Sequence, residues 1–159
     1  MENGFKDLGD YLRVKFAAKE ENVRHDVMSE REMEAFYVDR IVPVFERLKL
    51  YLLDFDFEKV DYVCYTRKAV FKVSEVLSQF RFRVDIDNAH RCVVIYYDVK
   101  YRLGRRKKLI SAAVNDRVSV SFGDLGLIDE EMISSVFIKW YMDKDGLIEL
   151  EKGEGMDND

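Results

Sequence analysis

With 159 residues, 48% of them hydrophobic and 13% aromatic, the chain has the composition of one globular domain with a core, which excludes a disordered polymer. Charges interrupt every apolar run, so no segment is expected to span a membrane. The opening MENGFKDLGDYL has neither a basic n-region nor an apolar h-region, which makes the expected location cytoplasmic. The net charge of −5 hides a division into three blocks: residues 1–58 carry 9 Lys+Arg against 14 Asp+Glu, residues 59–122 carry 14 against 6, and residues 123–159 carry 3 against 11. A basic middle therefore lies between acidic ends, and either neutralises them in the fold or faces an anionic partner.

In chain order, Phe5, Leu8, Leu12 and Phe16 recur at helical spacing and predict a short amphipathic helix over 4–20. A polar connection to Ser29 follows. Ser29 and Glu32 fit a capping box. Beyond them Met33, Phe36, Tyr37, Ile41, Val44, Leu48 and Leu52 share one face of a long helix ending at Asp54-Phe55-Asp56. Pro43, the only proline, removes an N–H and meets the carbonyl of Asp39, so a kink or two abutting helices is expected there.

From residue 59 the pattern changes to strands. Residues 59–66 are β-branched and aromatic. Residues 69–79 are ambiguous and read as a strand to about Ser74, then a turn or short helix. Phe80, Phe82, Val84 and Ile86 alternate with charged residues, Asp87 to His90 form a turn, and Val93 to Leu103 alternate again, giving a long hairpin with one buried face. A turn at Gly104, a third strand over 107–114, a tight turn at Asn115-Asp116 and a fourth strand over 117–122 complete a meander. After a loop at 122–126, Asp129 caps a helix carrying Met132, Ile133, Val136, Phe137, Trp140 and Tyr141. Gly146 is its expected stop. Leu147, Ile148 and Leu150 then add a strand or pack, and residues 153–159 form a frayed acidic tail beyond a single domain over 1–152.

The sum is an α+β two-layer sandwich: an antiparallel meander of four to five strands, with a long N-terminal helix and a C-terminal helix on one face. This order of elements resembles small helix-plus-curved-sheet folds such as the cystatin-like group. That resemblance is one of element order alone and implies no activity.

The chemistry-bearing features are few. Strand parity puts Arg81, Arg83, Tyr96, Lys100 and Arg102 opposite the core, with Arg105, Arg106, Lys107 and Lys108 at the hairpin tip, a basic face with an interleaved tyrosine suited to phosphates and a base. His90 and Cys92 match no zinc spacing, so no metal is expected. Cys64 and Cys92 lie in apolar runs and read as buried free thiols. The Asp54/Asp56 and Asp85/Asp87 pairs sit at element ends, where turn chemistry favours aspartate. There is no G-x-S-x-G elbow and no phosphate loop, so no catalytic residue and no cofactor is assigned. The expectation is a non-enzymatic binding or adaptor domain whose partner is another protein or a second copy of itself. The alternatives are nucleic-acid or other anion binding on the basic face, and a small enzyme with a pocket between the long helix and the sheet.

Overall fold

The computed structural model of the chain describes residues 8, 10–12, 27–103 and 109–156. Leu8 and Asp10 to Leu12 are helical, and the rest of the helix expected over 4–20 lies outside the described residues. The first long element is α1 (Glu30–Phe36), a π-helical turn (Tyr37–Ile41) and α2 (Val42–Leu52) in succession. Ser29 starts it as expected. Its Oγ accepts from the Glu32 N–H at 3.2 Å while Glu32 Oε1 accepts from the Ser29 N–H at 3.4 Å.

The interruption at Pro43 takes a specific form. In the π turn the Val42 N–H donates to the Tyr37 carbonyl, five residues back, and Pro43 follows in the first turn of α2. A proline there lacks an N–H that would have little use, and the widened turn relieves the clash its ring would make with the Asp39 carbonyl in an unbroken α-helix.

Six strands follow: β1 (Lys59–Cys64), β2 (Lys68–Ser74), β3 (Ser78–Asp87), β4 (Cys92–Tyr101), β5 (Ile110–Ser111) and β6 (Arg117–Ser121). They form one antiparallel sheet in which β1 to β4 are consecutive hairpins, and both β5 and β6 pair with β4. The ambiguous stretch 69–79 resolves into β2, a turn, and the first two residues of β3.

The expected third strand over 107–114 and the reversal at Asn115-Asp116 are corrected. Residues 104–108 lie outside the described residues, and β5 is two residues long. The chain does not turn back. Lys100 faces Ser111 and Tyr96 faces Arg117, so residues 112–116 stand opposite residues 97–99. Five residues against three make a bulge in a single edge, and β5 and β6 are its two halves.

A short 3-10 helix (Phe122–Leu127) leads to α3 (Glu130–Met156). The expected stop at Gly146 is also corrected. The helix runs through it and takes in Leu147, Ile148 and Leu150. It takes in residues 153–156 of the stretch expected to fray, and 157–159 lie outside the described residues. Beyond Gly146, Ile148 is buried and Leu147 packs on the core, so tertiary contacts outweigh the helix cost of one glycine.

Both helices pack on one face of the sheet, and the layer between is filled with rings. Phe45 of α2 lies 5.2 Å from Phe71 and 6.2 Å from Phe82, centroid to centroid. Phe137 of α3 lies 5.3 Å from Phe71 and 5.4 Å from both Phe80 and Phe82. Trp140 stacks on Tyr97 at 5.0 Å. The inward phenylalanines of β2 and β3 come from period-two alternation and those of the helices from the 3.6 period, so the two patterns meet in one core.

Candidate functional site: the open face of the sheet

The other face of the sheet is covered by no element among the described residues. Register fixes its occupants, because residues directly opposite on paired strands share a face. One row across the strands reads Asp61, Lys72, Arg81, Asp98, and the next reads Val63, Val70, Arg83, Tyr96, Arg117. Lys59, Lys68 and Lys100 lie on the same face, as do Asp85 and Asp87. That is seven cations against four carboxylates in the paired strands.

Arg81, Arg83, Tyr96 and Lys100 thus stand where strand parity placed them. Arg102 follows the end of β4 and is exposed. Arg105, Arg106, Lys107 and Lys108 lie outside the described residues. The acidic C-terminal segment does not cover this face. As far as Met156 it is α3, on the opposite side of the sheet, with seven carboxylates against three lysines. Among the described residues the charge is therefore divided, acidic on the C-terminal helix and basic on the open sheet.

The centre of the face is a built network. Asp98 bridges two arginines, one carboxylate oxygen accepting from Arg81 Nε at 2.7 Å and the other from Arg83 Nε at 2.8 Å. Arg83 also lies over the Tyr96 ring, 5.8 Å from its centroid, and the Tyr96 hydroxyl donates to Asp85 Oδ2 at 2.7 Å. Partial burial alone would favour the neutral form of Arg83. The adjacent Asp98 outweighs it and holds the guanidinium more firmly charged than usual. Burial, then the bond to Asp85, pushes the Tyr96 phenol up. Three side chains are fixed in position as a result, with the charge of Arg81 and Arg83 only half balanced.

Two depressions adjoin this network. The first, of about 380 Å³, is bordered by Lys59, Lys68, Lys72, Arg81 and Arg83 against a single carboxylate, Asp61, with Val63, Val70 and Tyr65 between them. Lys59 and Lys72 have no ion-pair partner among the described residues. Lys68 sits over the exposed Tyr65 ring at 5.4 Å. The second, of about 640 Å³, is lined by Tyr96, Val94, Asp85 and Asp87, with Arg67 and the β3–β4 turn on one side and Val114 to Arg117 on the other. Its wall is the bulge, which is why sequence reading missed it: two strands joined by a tight turn build no wall. Lys72 was missed for a plainer reason, since it falls in the ambiguous stretch 69–79, and Arg67 lies in the connection just before that stretch, where no face could be assigned.

The remaining features separate rather than converge. Asp85 pairs with Tyr96, while Asp87 accepts from the His90 N–H at 3.0 Å and meets His90 Nδ1 at 2.8 Å. Among the described residues no three His, Cys, Asp or Glu side chains gather as a metal site. The reading of both cysteines as buried is corrected. Cys64 is exposed at the end of the edge strand, and Cys92, at the start of β4 on the open face, is half-buried. Where α1 and α2 meet the end of β1, Cys64 borders a depression of about 310 Å³ with Glu30 and Glu34. Neighbouring carboxylates do not stabilise a thiolate, so this is no environment for a nucleophilic cysteine.

No family model matches the chain, and neither the curated proteins nor the solved structures contain a match to it.

Proposed function

We propose that the protein is a non-enzymatic binding module that receives an anionic partner on the open face of its sheet. The observation that carries this reading is the first depression, where five cations meet one carboxylate on a face that no described element covers. Neither Lys59 nor Lys72 forms a salt bridge among the described residues, although Lys59 lies close enough to Asp61 to favour its ionised form, so an incoming anion breaks no direct ion pair of theirs. The field of the molecule supports the same reading, because an acidic partner is repelled by the C-terminal helix and drawn to the sheet. A second copy placed symmetrically, face to face, does not fit, since two like faces would bring cation against cation. The partner is therefore of opposite charge.

Fluorescence anisotropy with labelled heparin, polyglutamate and oligonucleotides, at low and at physiological salt, tests the reading. Binding is expected to be salt-sensitive. The double variant Lys59→Ala with Lys72→Ala is expected to weaken it and to reduce the salt slope by about one to two charges. Absence of binding to all three polyanions at low salt would overturn the proposal, as would a double variant that binds like the parent.

A further inference from the structure

The two depressions on the open face differ in charge, and side-chain contacts link one to the other. Arg83 borders the cationic one, Tyr96 and Asp85 line the other, and the three side chains form one connected chain of contacts. The second depression holds three carboxylates, Asp85, Asp87 and Asp116, against two guanidiniums, Arg67 and Arg117. Such a mixed site repels a second phosphate or carboxylate. Asp116 can accept from amino and imino groups, the guanidiniums and Asn115 donate to ring nitrogens and carbonyls, and the Tyr96 ring, with Arg83 over one side, offers an apolar surface beside them. At about 640 Å³ it has room for a base and its sugar.

We infer that this depression seats a nucleobase while the cationic one holds the adjoining phosphates, so that the partner is a single-stranded nucleic acid. The inference rests on the reading of the open face as an anion-binding surface and adds the class of anion. A uniform polyanion such as heparin or polyglutamate fills the first depression and has nothing for the second. A duplex presents phosphates but keeps its bases stacked inside, whereas a single strand can place an unstacked base against a side chain. Along β3, Arg81 and Arg83 are two residues apart, about 6.6 Å at the rise of a strand. That is comparable to the separation of successive phosphates in a stretched single strand.

The test is anisotropy of a labelled mixed-sequence single-stranded RNA, the same sequence as single-stranded DNA, its duplex, and heparin as competitor. A single strand is expected to bind at least about tenfold tighter than the duplex. Asn115→Ala, which changes no charge, is expected to weaken the single strand by about five- to tenfold, the worth of one base contact, and to leave heparin competition unchanged relative to the parent. Circular dichroism on the variant checks that the bulge substitution leaves the fold intact, and Tyr96→Leu gives a second variant, expected to weaken the single strand more than it weakens heparin. Duplex or heparin binding as tightly as the single strand would overturn the inference and leave the open-face reading standing. So would a single-strand preference that neither variant moves. Failure of all the ligands at low salt would remove both.

Discussion

Asp98 shows how one residue sets the charge at the centre of the open face. It places a carboxylate between Arg81 and Arg83 and spends half of their combined charge internally. Asp98→Asn keeps the shape and removes the charge, so polyanion affinity is expected to rise several-fold and the salt slope to steepen by about one charge. The same anisotropy titrations measure both. Lys144 poses a different question on the helical side. Its side chain is only 1% exposed, yet it donates to Glu75 Oε2 at 2.8 Å and to Asp145 Oδ1 at 2.9 Å, with its ammonium 4.2 Å from the Tyr141 ring centroid. It ties α3 to the β2–β3 turn. Its carboxylate partners reach solvent and can rehydrate, so the buried stem matters more than the pair. Lys144→Met is expected to cost about 1 kcal/mol or less and Lys144→Ala about 2–3 kcal/mol, read from denaturant midpoints.

At the scale of elements, regular pattern was legible and interruption was not. Ser29 and Glu32 are a local pair, so the start of α1 could be read from two residues. The alternation from Phe80 to Ile86 gave the buried face of β3 because a strand has a strict period of two. The bulge was misread because Asn115-Asp116 is good turn chemistry in isolation, and only the length of the β4 edge decides that the chain continues along it. Gly146 was misread for a related reason, because a glycine reads as a stop when the packing beyond it is unknown. In the fold it sits in mid-helix with open space around the position of a Cβ. Gly146→Ala is therefore expected to raise stability by about 0.5–1 kcal/mol, measured by thermal or denaturant unfolding.

At the scale of the whole molecule, one edge of the sheet is broken by the bulge and the other is guarded. On β1 the Tyr62 N–H is taken by its neighbour Asp61 Oδ1 at 2.8 Å, and Lys49 of α2 reaches the same oxygen at 3.4 Å. A strand whose edge amide is already satisfied is a poor template for another chain.

The tyrosines of the core give the molecule its pH limit. Burial pushes the phenols of Tyr62 and Tyr97 up to about 12, and Tyr37, whose hydroxyl donates to the Val84 carbonyl at 3.0 Å, goes further in the same direction. A folded-state pKa above the unfolded value, about 10 for tyrosine, means that this stabilisation is complete below pH 10 and is lost as pH rises towards 12. Phenolate absorbance is expected to lag behind that of free tyrosine above pH 10 and then to rise together with loss of ellipticity. Ionisation of all the tyrosines at the ordinary value, with the fold intact, would contradict it.

The sequence by itself determined the α+β class, the helix start at Ser29, the inward phenylalanines and the sign of each charge block, because these depend on local spacing and on composition. It also placed Arg81, Arg83, Tyr96 and Lys100 on one side of the sheet. Tertiary structure alone decided that this side is open among the described residues, that the acidic helix lies on the other, and that a bulge walls a second depression beside the first. Those facts concern which surfaces meet across the sheet. A strand carries its own parity, but nothing in its sequence says what will be laid over either face.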